Sequence, residues 1–157
     1  MIQIKHRSTE KVIKEVDATS LVNADLRCAD LRSANLQYAD LQYADLHGAN
    51  LQRVNLEGAE LLGADLRYAN LQRANLQHAD LRGVNIRWAL GDEKRIKTII
   101  DQYKIVIMLE YGIMAIGCEQ HTIDEWMNFS DEEIDNMDLG ALRWWKIWKP
   151  KIQQSIA

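Results

Sequence analysis

Cys118 and His121 lie three residues apart, and theirs is the arrangement in this chain whose residue types most suggest covalent or metal chemistry. An imidazole beside a thiol can take its proton and leave a nucleophilic thiolate. The same pair could begin a zinc site. A nucleophile also needs a third group to orient the base, and donors for an oxyanion, and the residue pattern supplies neither. Zinc needs four ligands, and the nearest acids, Glu119, Asp124 and Glu125, complete a structural site poorly. The simpler reading is a small buried thiol at a strand end and a histidine near a helix start. No catalytic residue, metal or cofactor is expected on these grounds. An enzyme using Cys118 and His121 stands third among the functional readings.

A second set of residues is electrostatic. From Ile105 to Leu142 there is no lysine or arginine, while Glu110, Glu119, Asp124, Glu125, Asp131, Glu132, Glu133, Asp135 and Asp138 all occur. Such a block suits the basic, nucleic-acid-binding surface of a partner protein. Acids also gather at helix N-termini, and several of these follow Thr122 and Ser130. Beyond the block stand Arg143, Lys146, Lys149 and Lys151 beside Trp144, Trp145 and Trp148. Ala141, Trp145, Trp148 and Ile152 fall at i, i+4, i+7 and i+11, one stripe of a helix. That stripe packs on the tail's own strands or forms the face of a homodimer. Direct nucleic-acid binding is not expected from it.

The elements that carry these residues are legible in outline. Thr122-x-x-Glu125 and Ser130-x-x-Glu133 are capping boxes, so two short helices should start there. A last helix is expected from about Asp138 to Lys149, ending before Pro150. Lys104–Leu109 and Ile113–Ile116 read as strands around a turn at Glu110–Gly112, and Asp92–Gln102 as a short linker helix. Residues 91–157 thus read as a ββααα module. At the other end, Ile2–Arg7 and Val12–Val16 alternate around the turn-prone Ser8-Thr9-Glu10, a β-hairpin over residues 1–18.

Between them the chain repeats with a period of five. Leucines, with Ile86 closing the series, recur every fifth residue from Leu21, and a small residue stands two places before each. Asp or Asn nearly always lies between. Period five fits neither a helix nor a strand. A unit that turns a corner every five residues closes a square after four, so every twentieth residue stacks on the last at roughly 4.8 Å. The fourteen units of residues 19–88 then make a prism roughly 17 Å tall, with the leucine and the small residue inside. Burying each leucine contributes roughly 1.5–3 kcal/mol.

Stacking turns the outer faces into columns. Asp25, Asp45, Asp65 and Asn85 form one, beside Arg27, His47, Arg67 and Arg87. Ser20, Asp40, Glu60 and Asp80 form another, and Asn35, Asn55 and Asn75 a third. Tyr38, Tyr43, Tyr68 and Trp88 hold outward positions, as binding residues or beneath the flanking segments. The repeat carries seven arginines against eight acids, whereas residues 89–157 carry eight basic against twelve acidic, so the net charge of −4 is mostly C-terminal. No apolar run approaches the ~20 residues that cross a bilayer, and residues 1–7 lack the apolar core of a signal peptide. Two cysteines without a paired framework suit a reducing cytoplasm.

Units such as Ala24-Asp-Leu-Arg-Cys and Ala34-Asn-Leu-Gln-Tyr resemble the pentapeptide-repeat family, whose motif is A(D/N)LXX. The resemblance over residues 19–90 implies a mainly β fold, a right-handed quadrilateral β-helix capped by the hairpin and the C-terminal module. It does not imply an enzyme. Ile116-Gly-Cys-x-x-His121-x-x-x-Glu125-Trp126, with Ala141-Leu-x-Trp-Trp, resembles a module on pentapeptide proteins of temperate bacteriophages and their prophages. These resemblances imply a phage-encoded protein-binding scaffold that modulates a host protein of DNA metabolism or antiviral defence. The runner-up is mimicry of duplex DNA, known for some members of the family, which would inhibit DNA gyrase or another DNA-binding protein. A duplex carries one negative charge per roughly 1.7 Å, and a nearly neutral prism makes a poor double of it.

Overall fold

A five-residue unit closes a corner when its leucine carbonyl accepts from the small residue three places on. In the computed structural model, which describes residues 1–91, 96–100 (backbone only) and 103–156, this bond recurs from Leu21–Ala24 to Ile86–Ala89 at 2.9–3.2 Å. The residue just before the small one holds positive φ in every unit, from Asn23 at 56° to Trp88 at 60°. Each corner is therefore a type II turn. The Asp or Asn preceding each leucine explains its own selection. Its side-chain oxygen accepts from the backbone N–H two residues on, as from Asp25 to Arg27 at 3.2 Å and from Asn50 to Gln52 at 3.3 Å. That bond holds the turn entrance in shape. Ser20 does the same for Val22 in the first unit.

Successive coils join through parallel bridges twenty residues apart, in four columns: Asp25–Asp45–Asp65–Asn85, Asp30–Asn50–Asn70–Leu90, Asn35–Asn55–Asn75 and Asp40–Glu60–Asp80. Leu26 N–H donates to the Asp45 carbonyl at 2.8 Å and Asp45 N–H to the Ala24 carbonyl at 2.9 Å, a pattern repeated up the stack. Inside, Leu31, Leu41, Leu46, Leu51, Leu56, Leu61, Leu66 and Leu71 are wholly buried, with alanines or Val54 between them. Tyr38 and Tyr43 stay exposed, and neither lies under a flanking segment. Their rings lie across Gly58 and Gly63 of the next coil, where a Cβ at Gly58 would come within 2.5 Å of Tyr38. Tyr68 stacks on Trp88 with centroids 5.0 Å apart.

On the first coil, strand β1 (Ile2–His6) pairs antiparallel with β2 (Val12–Val16) on one side and with β3 (Ala34–Asn35) on the other. It thereby covers the edge of that coil, and Arg7 N–H donates to the Ser33 carbonyl at 2.9 Å. Ile4 joins the coil's core.

The C-terminal part departs from the expected ββααα. It holds four antiparallel strands in the order β4 (Ile96–Ile100), β5 (Lys104–Met108), β6 (Ile113–Ile116) and β7 (Glu119–Thr122), then α1 (Ile123–Asn128), α2 (Asp131–Asp135) and α3 (Ala141–Ile156). The linker helix expected over 92–102 is corrected. Residues 96–100 pair along β5, and the rest of that segment, 92–95 and 101–102, lies outside the described residues. Ile96, Ile99 and Ile100 have helical spacing, but β-branched residues beside an available edge favour the strand. The last helix also runs on through Pro150, contrary to the expected stop. Proline removes one helical hydrogen bond there, while Ile152 beyond it is wholly buried.

Paired side chains on the coil give the fold a readable pH dependence. Arg27, Arg32 and Arg82 each fork onto the aspartate two residues back, at 2.6–2.7 Å. The arginine hydrogen bonds hold Asp30 and Asp80 below the usual carboxylate range and Asp25 down at about 2. Carboxyls depressed on folding stabilise the protein fully above their unfolded values, and that contribution is lost as pH falls through the folded ones. The melting temperature should therefore hold between pH 7 and 5 and fall below about pH 4. Circular dichroism melts should show a shallower acid limb for the combined R27Q/R32Q/R82Q variant.

Candidate functional site

Strand β5 is buried on both faces, and that burial positions the module. Val106 and Met108 pack with Ala115 into the coil's core, whereas Ile105 and Ile107 pack with Met114 and Ile116 against the helices. A continuous apolar run is what a strand covered on both sides requires. The sheet thus closes over the last coil and offers its other face to α1, α2 and α3.

The last coil's open backbone groups meet side chains from this sheet. By the coil's pattern, Ile86 N–H and the Val84 carbonyl would pair with the carbonyl and N–H of one residue of a following coil. The side-chain amide of Gln120 takes that residue's place. Its Oε1 accepts from Ile86 N–H at 2.8 Å and its Nε2 donates to the Val84 carbonyl. Arg87 donates to the Cys118 carbonyl at 2.6 Å, Lys104 to the Trp88 carbonyl at 2.6 Å, and Tyr111 hydroxyl to the Leu76 carbonyl. Burial lowers the pKa of Lys104.

The acidic block separates into groups with different duties. Glu125 and Glu133 close their capping boxes, accepting from the backbone and hydroxyl of Thr122 and Ser130. Those backbone bonds first, then the hydroxyls, hold both carboxyls below their ordinary range. Asp131 pairs with Lys146 at 2.7 Å. Asp138 accepts from the Tyr103 hydroxyl at 2.7 Å, and Glu119 lies 3.7 Å from His121. Asp124, Glu132 and Asp135 are exposed and have no ion-pair or hydrogen-bond partner among the described residues. The side chain of Glu110 lies outside those described.

An apolar cleft of about 50 Å³ opens beside the block. It is walled by Tyr103, Trp126, Trp144 and Trp145, with Glu119 and Asp138 also lining it. Leu139, next to Asp138, is 95 % exposed. Sequence reasoning passed over that leucine, although its neighbours Asp138 and Gly140 mark a turn that leaves it in solvent.

The other singled-out residues sit as follows. Cys118 is in the β6–β7 turn and is exposed, contrary to the buried thiol expected there. Its thiol reaches Glu119 Oε1 at 4.0 Å. His121 is held edge-on by Trp126 and Phe129, with centroids 5.2 and 4.9 Å away. No cluster of three metal-ligating side chains occurs among the described residues. Ala141, Trp145 and Ile152 are buried against the chain's own strands, with Trp148 partly buried beside them. A dimer through that stripe would require the module to open. No helix among the described residues is long and apolar enough to cross a membrane.

The family profile described as pentapeptide repeats, in eight copies, matches residues 17–53 and 49–87. The repeat of residues 17–87 is thus similar to that family. Three solved pentapeptide-repeat proteins are similar to the chain. Rfr23 from the cyanobacterium Cyanothece 51142 is 31 % identical over 45 % of this chain and 55 % of its own, with a TM-score of 0.30. A pentapeptide repeat protein of the Arabidopsis thaliana thylakoid lumen is 27 % identical over 45 % and 52 %, with a TM-score of 0.31. HetL from Nostoc sp. PCC 7120, involved in heterocyst differentiation regulation, is 37 % identical over 48 % and 39 %, at a TM-score of 0.24. The chain spans about half the length of the first two. No curated protein matches it.

Proposed function

We propose that this pentapeptide-repeat chain is a non-catalytic protein-binding scaffold. In this reading it is a right-handed quadrilateral β-helix, capped by the N-terminal hairpin and the C-terminal module, that holds the module's acidic surface toward a basic partner. The observation that carries the reading is a division of labour among the acids. Asp124, Glu132 and Asp135 neither cap a helix nor join an ion pair among the described residues, and Leu139 stands exposed in the same segment. Free carboxylates around an apolar anchor suit an interface that recruits by charge and holds by burial. The cleft between Glu119 and Asp138 suits the aliphatic stem of a partner's lysine or arginine.

The finer reading is a phage-encoded protein in the bacterial cytoplasm, directed at a host protein of DNA metabolism or antiviral defence. The resemblance of the tail and the basic character of nucleic-acid-binding partners support it. Mimicry of duplex DNA by the coil gains little support. Its acidic column is interleaved with arginines, as in the Arg27–Asp25 pair, which also approaches Asp45 at 3.6 Å. The test is capture of a partner from bacterial lysate at rising salt. D124N/E132Q/D135N should weaken capture at least tenfold at low salt and flatten its salt dependence. Capture that ignores both salt and the triple variant would refute the reading.

A further inference from the structure

Five of the coil's seven arginines stand two residues after an Asp or Asn and bond to it: Arg27, Arg32, Arg67, Arg82 and Arg87. Arg53 and Arg73 stand one residue later in their units, at the positive-φ corner (58° and 60°), and their guanidinium groups have no acid or hydrogen-bond partner among the described residues. Twenty residues apart, they sit one coil above the other, at a rise of roughly 4.8 Å. Both line a groove of about 940 Å³, whose described lining runs from His6 of the hairpin to Gly91.

Among the described residues the groove's charge is one-sided. Asp30 is already matched by Arg32, and Ser33, Gln52 and Gln72 are neutral. Arg53 and Arg73 therefore carry two positive charges that no described lining residue compensates, in a chain whose net charge is −4. Gln52 and Gln72 are tied to each other at 2.9 Å, which fixes a pair of amides in the groove's lining. His6 accepts from the backbone N–H groups of Ser8 and Thr9 on Nδ1, so its neutral ring carries its proton on Nε2 as a further donor.

We infer that this groove binds a phosphate group, clamped by Arg53 and Arg73 of successive coils. Two guanidinium forks can each donate a pair of parallel hydrogen bonds to a phosphate's oxygens, and their mutual repulsion falls when the anion sits between them. Planar forks and side-chain amides recognise a tetrahedral oxyanion better than they do water alone. The site is independent of the acidic module and lies on the coil, so it can be lost without touching the partner-binding surface proposed above.

The test uses the full chain and inorganic phosphate, titrated by calorimetry at constant ionic strength against a chloride control. Wild type should bind saturably, and R53Q/R73Q should weaken binding at least tenfold. R53G/R73G should lose binding equally while keeping its fold, because glycine accepts positive φ without strain. R27Q, which removes a paired arginine on another side, should bind as wild type does. Adenosine monophosphate distinguishes the source of the group. Affinity equal to that of inorganic phosphate marks a free-phosphate site, and tenfold tighter binding marks a nucleotide site. Absence of saturable phosphate binding by wild type, or undiminished binding by R53Q/R73Q, would overturn the inference.

Discussion

Truncating Leu51 to alanine should lower the unfolding free energy by about 2–5 kcal/mol. Leu51 is wholly buried in the middle of the stack, with Leu31 below and Leu71 above in its column, themselves wholly buried. The surrounding backbone is locked by its turn to Val54 and by coil-to-coil bonds such as Leu31 N–H to the Asn50 carbonyl and Leu51 N–H to the Asn70 carbonyl. Such a frame cannot collapse around the void, so both the lost transfer energy and the cavity are felt. In a one-dimensional stack each coil is held by its neighbours, so a defect in the middle weakens the contacts on both sides of it. Urea denaturation followed by circular dichroism measures the change. A loss below about 1 kcal/mol would mean that the core tolerates voids and is not the close-packed column described.

Replacing Gln120 by leucine should cost about 1–3 kcal/mol for each of the two backbone groups it leaves unpaired, Ile86 N–H and the Val84 carbonyl. Leucine keeps the bulk and removes only the amide, so packing is a poor alternative explanation. Glutamate is the informative control. It keeps an acceptor for Ile86 N–H but sets a carboxylate against the Val84 carbonyl, so Q120E should be at least as destabilised as Q120L at pH 7. The consequence reaches beyond stability. An uncovered coil end presents strand-like edges that pair with other chains. Light scattering on Q120L should show self-association that wild type lacks. A Q120L protein as stable and as monodisperse as wild type would contradict the substitution of this side chain for the backbone groups of a following coil.

Gln120 also shows where the sequence stopped being informative. The spacing of Leu21 through Ile86 is enough to place the core, because a period of five admits few ways to bury one leucine per unit. The Asp or Asn before each leucine was conspicuous, but its duty, accepting from the backbone two residues on, depends on turn geometry that spacing alone does not fix. A glutamine on a polar strand carries no mark of pairing with a coil some thirty-five residues earlier. Strand β7 was missed for the same reason: Glu119, Gln120, His121 and Thr122 show no apolar alternation, and only pairing with β6 makes them a strand. The acidic block was visible as composition, yet its division was not. Glu125 and Glu133 announce their capping roles by motif, whereas Asp131 meets Lys146 and Asp138 meets Tyr103 only in the folded chain. Arg53 and Arg73 look like the other arginines until the corner they occupy is known.

In the proposed function the module's free carboxylates, rather than the coil, choose the partner. Immobilised full-length wild type, D124N/E132Q/D135N and the coil variant R27Q/R67Q should be incubated with the same bacterial lysate and their retained proteins quantified by mass spectrometry. A basic protein should be held by wild type and by R27Q/R67Q and reduced at least tenfold on D124N/E132Q/D135N, with the purified protein reproducing that order in binary titrations. Equal retention by D124N/E132Q/D135N, or its loss on R27Q/R67Q instead, would contradict it.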